Sequence, residues 1–181
     1  GRARVCVPVR RAVTVRRKNV DLVLESTLQG LASHLPAPFS KAAAEALPLR
    51  FERRFVSSER DQLALSLGDI VSARLTRHVD GKRTVIDRGM VRLGGGAAAE
   101  PERDGVFVSG GVKSVNLDAW LKLAAPGAAE TSDVAYTVNG LDLKLGEFEV
   151  YDRKFGELTI MAQAASAQTM RYRLMGREIE G

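Results

Sequence analysis

Few side chains in this sequence are suited to catalysis. A catalytic or metal-binding histidine needs a second histidine, a cysteine or paired acids nearby, and neither His34 nor His78 has one at ligand spacing. Ser109 precedes two glycines, but the Gly-x-Ser-x-Gly pattern of a hydrolase nucleophile is missing. The single cysteine, Cys6, excludes an internal disulfide and a cysteine-built zinc site. We therefore predict a non-enzymatic chain with no catalytic residue, no metal and no cofactor.

Positive charge is concentrated at the start of the chain. Residues 1–18 hold seven basic residues and no acid, whereas the rest has 20 basic and 22 acidic residues, so the net charge of +5 is a local feature. Such a stretch contacts nucleic acid, anionic lipid or only water. No aromatic residue precedes Phe39 to stack on bases, which disfavours nucleic acid. Arginines alternating with valines are most typical of a solvated strand face, and a lipid contact is the second interpretation.

Apolar residues recur at every second position in two stretches, as in strands with one apolar face. Asn139-Gly140 is a favoured two-residue hairpin loop, because both central positions of such a turn need positive φ. A hairpin there would pair Val138 with Leu141 and place six apolar residues on one face. A similar alternation begins at Leu63. The candidate residues of an apolar face are Leu63, Leu65, Leu67, Val134, Tyr136, Val138, Leu141, Leu143 and Leu145.

The elements that must carry these residues are mostly strands. Asp80-Gly81 predicts a second hairpin, Asn116 predicts the N-cap of a short helix, and Lys41–Ala46 predicts another helical turn. We predict a mainly β fold for residues 1–181, with long antiparallel hairpins forming a curved, groove-like sheet and one or two short helices. Alternation predicts strands at Val20–Leu24, Leu47–Val56, Gln62–Leu67, Ile70–Val79, Arg83–Leu93, Gly105–Val112, Val134–Val138, Leu141–Leu145, Glu157–Met161 and Met170–Leu174.

One part of the chain resembles a known family. Leu28-Gln29-Gly30-Leu31-Ala32 is followed by Leu35-Pro36-Ala37-Pro38-Phe39-Ser40-Lys41, a Leu-Pro-x-Pro-x-x-Lys turn, and then by Ala46-Leu47-Pro48-Leu49. This order resembles YhdP-type proteins of the AsmA-like group. A Leu-x-Leu-Gly strand and a Gly-rich turn before Leu117-Asp118-x-Trp120-Leu121 are similar as well. The resemblance covers most of residues 20–181 and leaves out the arginine-rich first 18.

The resemblance implies that the chain is an internal fragment of a much longer envelope protein. Such a protein is anchored in the inner membrane of a Gram-negative bacterium, extends through the periplasm and moves phospholipids toward the outer membrane without catalytic residues. Its curved sheet forms a groove, and the nine candidate residues above would line it and contact phospholipid acyl chains. The expected partners are those lipids, the flanking segments of the same long chain and, through cut sheet edges, a second copy of the fragment; nucleic acid is not expected.

Two other interpretations stay open. The same apolar residues would also form an ordinary closed core, in a structural or interaction scaffold of the cell envelope. A hydrolase that uses His34 or His78 is the weakest interpretation. An open apolar groove favours transport, and a filled core favours the scaffold.

Overall fold

The computed structural model describes residues 9–16, 19–123, 133–166 and 169–176. In these ranges twelve strands form one open sheet, and one short helix lies beside it, which confirms the predicted mainly β fold class. The elements are β1 Val9–Arg16, β2 Asn19–Ser26, β3 Leu49–Phe55, β4 Arg60–Leu67, β5 Val71–Asp80, β6 Arg83–Leu93, β7 Gly105–Asn116, α1 Leu117–Leu123, β8 Val134–Ala135, β9 Val138–Val150, β10 Arg153–Phe155, β11 Leu158–Ser166 and β12 Thr169–Gly176.

The strands follow chain order across the sheet. The order is β1-β2-β3-β4-β5-β6-β7-β9-β11-β12, with β8 beside β6 and β10 beside β9. Neighbours are antiparallel from β1 to β6 and again from β9 to β12. At the centre, β7 pairs in parallel with both β6 and β9. Parallel neighbours need a crossover connection, and the loop 94–104 supplies the one between β6 and β7.

The β5–β6 hairpin lies where the sequence predicts it but in a different register. Asp80 pairs with Arg83, so the loop is Gly81-Lys82. Gly81 has a φ of 60°, the positive value that a type II′ turn requires at its first central position. A bulge at Asp87 shifts the strands again, and Leu75 therefore pairs with Gly89. An Asp80-Gly81 loop, as the sequence predicts, would pair Val79 with Lys82 and Leu75 with Ile86, and this register is wrong for both reasons.

The hairpin predicted at Asn139-Gly140 is wrong. Strand β9 runs through both residues, and Asn139 is the extra residue of a bulge against β7. On either side of it, Val138 pairs with Val106 and Gly140 pairs with Phe107. A Cβ on Gly140 would lie 2.7 Å from Cδ1 of Phe107. The glycine therefore permits a close approach of two strands rather than a reversal of the chain.

Of the two predicted helices, the described residues contain one. The side-chain Oδ1 of Asn116 accepts a hydrogen bond from the backbone N–H of Ala119 at 2.7 Å, which caps α1 as expected. The segment Lys41–Ala46 forms no helix. Lys41 instead pairs with Ser33 through two backbone hydrogen bonds of 2.8 and 3.0 Å, which close the loop between β2 and β3.

The sheet is largely a single layer. Its principal contacts join neighbouring strands, and α1 packs against β9. In the part of the chain that the structure describes, one small apolar cluster is buried, formed by Leu145, Phe148 and Leu158. Beside it the rings of Phe148 and Phe155 stack with centroids 4.8 Å apart. Burial is therefore concentrated at the β9–β11 side of the sheet.

Candidate functional site

One face of the sheet is largely apolar from β2 to β12. Residues paired on neighbouring strands point to the same face, so the register places Leu24, Phe51 and Leu65 in one row and carries the row on through Val91 and Leu141. We call this set the apolar face. It comprises Leu22, Leu24, Leu49, Phe51, Leu63, Leu65, Leu67, Val71, Ala73, Leu75, Val91, Leu93, Val106, Val108, Val112, Leu141, Leu143, Leu145, Leu158, Ile160, Ala162 and Leu174.

The structure brings most of the candidate residues onto this face. Leu63, Leu65 and Leu67 lie on β4, and three more leucines lie on β9, four strands away in the sheet order. The β9 leucines are Leu141, Leu143 and Leu145. The two groups are thus parts of one continuous surface, although no hairpin joins them.

The other three candidates lie differently from the prediction. Val138 pairs with Val106 and so lies on the same side of the sheet as the apolar face, at its border with the bulge. Val134 belongs to β8, beside β6, and not to a strand opposite Leu145. Tyr136 follows β8 and is 62% exposed. Because no hairpin forms at Asn139-Gly140, Val134 and Tyr136 are not cross-strand partners of the β9 leucines. That the nine residues contact lipid stays a prediction.

The apolar face is only partly shielded from solvent. Five of its leucines are half-buried, with an exposed fraction between that of a core residue and that of a surface residue: Leu63, Leu65, Leu67, Leu141 and Leu143. Among the described residues no large side chain is fully buried. Leucines in a closed core have almost no accessible surface. The described part of the chain therefore places no second layer over most of this face.

Two arginines and a buried aspartate lie at the edge of the apolar face nearest the β3–β4 turn. Nε of Arg53 lies 2.6 Å from Oδ2 of Asp61, while Nε of Arg77 lies 2.6 Å from Oδ1 and its NH2 nitrogen 3.0 Å from Oδ2. We call these residues the charged triad. Burial acts to raise the pKa of Asp61, but hydrogen bonds from Arg77 and Arg53 outweigh it and the pKa is lowered. Hydrogen bonding to Asp61 likewise raises the pKa of Arg77.

The opposite face of the sheet is polar and partly covered by the loop 94–104. The hydroxyl of Ser72 donates to the carbonyl oxygen of Gly96 at 2.9 Å, and Arg74 is paired with Glu100. A cavity of about 440 Å³ under this loop has Arg50, Arg74 and Glu100 in its lining. The lining also includes apolar residues, among them Ala64 and Ala97, but an alkyl chain placed there would have to desolvate the charged groups of Arg50, Arg74 and Glu100.

The Leu-Pro-x-Pro-x-x-Lys segment forms an anchored loop. Lys41 is buried, and its Nζ donates to the carbonyl oxygens of Leu31 at 2.7 Å and Ala42 at 2.9 Å. Trp120 Nε1 donates to the carbonyl oxygen of Ala37 at 3.3 Å, and the Phe39 ring meets the indole edge to face. The motif therefore ties the β2–β3 loop to α1 and has a structural role here.

Neither histidine belongs to a catalytic arrangement in the described residues. His34 lies in the exposed part of the β2–β3 loop. His78 Nδ1 lies 2.7 Å from Oδ1 of Asp87, the bulge residue of β6. In the described ranges no group of three or more histidine, cysteine or acidic side chains is placed to hold a metal ion. Cys6 lies outside the described residues. The one described helix, α1, is too short to span a bilayer.

The charged triad is the feature that the sequence did not predict as a unit. Its members occupy the same alternate positions as the apolar residues: Arg53 follows Phe51 on β3, Asp61 precedes Leu63 on β4, and Arg77 follows Leu75 on β5. In the sequence, Arg77 stands at one of the alternate positions that Leu75 and Val79 occupy, and so interrupts an apolar pattern. The signal that identifies the triad is a charged residue at an apolar position on each of three consecutive strands, where the charges have opposite signs on neighbouring strands.

A family model described as YhdP protein matches residues 7–181. No curated protein and no solved structure matches the chain.

Proposed function

The chain belongs to the YhdP protein family, and on this premise we propose that it is a segment of a bridge-like phospholipid transport protein whose apolar face binds acyl chains. Membership of this family suggests a lipid-transport-related protein of the Gram-negative envelope. The proposal extends this to a periplasmic position within a much longer, inner-membrane-anchored protein whose neighbouring segments continue the sheet. The proposed role is not enzymatic.

The observation that supports the proposal is the continuous, half-exposed apolar face. Most of its leucines and valines remain partly open to solvent on strands β2 to β9. Exposed apolar surface of this extent is typical of a site for an apolar ligand or partner. An acyl chain that lies on it gains about 0.8 kcal/mol for each methylene removed from water, without any directional polar contact. The surface is therefore suited to lipids of varied chain length and saturation.

A photo-crosslinking experiment tests where lipid lies. A benzophenone amino acid would replace Leu65 on the apolar face or, as a matched control on the same strand, Ser66 on the polar face. The chain would be expressed in the periplasm of a Gram-negative host, irradiated and analysed by mass spectrometry. We expect phospholipid adducts at position 65 and few or none at position 66. Equal labelling at the two positions, or none at either, would refute acyl binding on this face.

A second variant pair measures binding by the purified chain. Leu143→Arg places a charge on the apolar face, and Asp142→Arg places one on the polar face of the same strand. Native mass spectrometry, with and without gentle delipidation, would count co-purifying phospholipids. We expect Leu143→Arg to lose most of the bound lipid because a guanidinium has to be desolvated under an alkyl chain, and Asp142→Arg to keep it.

The alternative is a non-enzymatic scaffold of the envelope, in which the apolar face is closed by other parts of the protein. The buried cluster around Leu145, Phe148 and Leu158 favours this alternative locally, since it is already a small filled core. The two functions differ in one measurable property. A scaffold with a closed face exchanges no lipid, whereas a conduit takes up a labelled phospholipid from vesicles added to the purified chain.

A further inference from the structure

We propose that Arg53 and Arg77 of the charged triad bind the phosphate of a phospholipid whose acyl chains lie on the apolar face. This inference rests on the proposed function and adds a polar subsite to it. The chemistry recognised is a phosphate group at the end of an apolar body.

The position of the triad supports this assignment. Arg53 pairs with Leu63 on β4 and with Leu22 on β2, so its side chain lies in a row of leucines on the apolar face. Arg77 lies two residues beyond Leu75 on the same side of β5. A lipid with its acyl chains over these leucines has its polar end next to the two guanidinium groups.

The two arginines of the triad have N–H donors that do not contact Asp61. A guanidinium has five N–H donors, and in the described residues Asp61 receives hydrogen bonds from Nε of Arg53 and from Nε and one terminal nitrogen of Arg77. The hydrogen bonds to Asp61 leave both terminal nitrogens of Arg53 and one of Arg77 for another acceptor. The side chain of Arg53 is 47% exposed and that of Arg77 is 30% exposed, so a ligand reaches them from the apolar face.

The charge of the triad also favours an anion. Two guanidinium groups face one carboxylate, which leaves one positive charge beside an apolar surface. Arginine binds phosphate through parallel N–H···O contacts, and such charge-assisted hydrogen bonds strengthen where water is excluded. Asp61 acts as a positioning residue, because its buried carboxylate holds both guanidinium groups at the border of the leucines.

Two lipids with identical acyl chains separate headgroup binding from acyl binding. The purified chain would be titrated with a fluorescent dioleoyl phosphatidylglycerol and with the matching dioleoylglycerol, which lacks the phosphate. We expect the phospholipid to bind at least about tenfold more tightly, a difference of about 1.4 kcal/mol. Arg53→Gln combined with Arg77→Gln should remove this preference and leave binding of dioleoylglycerol unchanged.

Two further variants keep the result interpretable. Arg54→Gln removes the same charge from the neighbouring residue of β3, which faces away from the apolar face, and should leave both affinities unchanged. Arg53→Gln alone keeps the pair between Arg77 and Asp61, so this variant remains informative if the double variant does not fold. It should reduce the preference for the phospholipid in part.

The outcomes separate this inference from the proposed function. If neither lipid binds, the proposed function fails. If both lipids bind equally, or the Arg53 and Arg77 variants keep the tenfold preference, the phosphate subsite alone is refuted. Inorganic phosphate distinguishes a lipid headgroup from a free anion: phosphate that displaces only the phospholipid, and only weakly, supports the subsite. Phosphate that binds the chain as tightly as the phospholipid does would overturn it.

Discussion

Nε1 of Trp120 donates a hydrogen bond to the carbonyl oxygen of Ala37 at 3.3 Å, across 83 residues of sequence. The ring of Phe39 meets the same indole edge to face, with the centroids 5.7 Å apart. These contacts hold the loop between β2 and β3 against α1, which follows β7. Two connections that leave the sheet four strands apart are thereby joined.

Removal of this contact should destabilise the chain. We expect Trp120→Ala to lower the free energy of unfolding by about 2–4 kcal/mol, since a partly buried ring and its hydrogen bond are lost together. Trp120→Phe keeps a ring and should cost about 1 kcal/mol. Urea denaturation followed by circular dichroism measures both. Leu121→Ala is the control, because Leu121 is 60% exposed and its loss should stay within about 0.5 kcal/mol. Equal losses at positions 120 and 121 would contradict the contact.

Lys41 should stabilise the same loop from within. Lys41→Met keeps much of the side chain's length but leaves the carbonyl oxygens of Leu31 and Ala42 without their donor. We expect a loss of about 1–3 kcal/mol and faster amide hydrogen exchange in residues 28–41. Lys144→Met changes an exposed lysine on the polar face and serves as the control. Unaltered exchange in the loop of the Lys41 variant would argue against this role.

Much of the fold was predictable, because apolar residues at every second position indicate directly a strand with one buried face. Arg83–Leu93 was predicted with both boundaries as they occur, and Asn116 caps α1. Turn chemistry was less informative, since an Asn-Gly pair suits both a hairpin and a bulge. The choice at Asn139-Gly140 depends on Phe107, more than thirty residues earlier. Local sequence holds no information about that approach.

The close approach of Gly140 to Phe107 gives a prediction that distinguishes a bulge at Asn139-Gly140 from a hairpin turn there. Gly140→Ala should cost about 1–3 kcal/mol, because the new methyl group meets the ring of Phe107. In a Phe107→Ala background the same change should cost clearly less, so a double-mutant cycle has a non-zero coupling energy. If Gly140 lay in a hairpin turn, Gly140→Ala would instead lower the free energy of unfolding through backbone strain. That loss would be equal with phenylalanine or alanine at position 107. A coupling energy of zero would therefore count against the bulge.

The charged triad should make stability depend on acid pH. The pKa of Asp61 is lowered in the folded chain, so its contribution is complete above the unfolded value, about 3.9, and is lost as the pH falls through the folded pKa. Asp61→Asn should reduce the free energy of unfolding at neutral pH. The difference from the unsubstituted chain should narrow below about pH 4. A difference of constant size throughout the acid range would disprove this assignment.

The candidate site was predictable in its apolar part only. Alternating leucines on β4 and β9 identify their own faces, and the register then joins them into one surface. The triad depends on three strands meeting in a particular alignment. Arg53, Asp61 and Arg77 are each an ordinary charge in an ordinary strand, and only the pairing of β3, β4 and β5 brings them together.

The unpaired edges of the sheet predict self-association. Among the strands of the described ranges, β1 and β12 each have a neighbour on one side only, and the Tyr172 side chain of β12 is 67% exposed. We expect the purified chain to form dimers or larger species as its concentration rises, measured by sedimentation velocity. Tyr172→Lys should shift the equilibrium toward monomer, whereas Tyr151→Lys, at the β9–β10 turn, should not. A chain that stays monomeric at every concentration would exclude edge pairing.

The ten strands from β1 to β12 stand side by side, each bonded to the next. Neighbouring strands lie about 4.8 Å apart, so the path measures roughly 43 Å from the first strand to the last. Length along this axis grows in steps of one strand, and an added hairpin lengthens the path by about 10 Å while the rows of side chains continue. The width of such a sheet is therefore set by the number of its strands, and a protein of this design reaches a given distance by having a given number of hairpins.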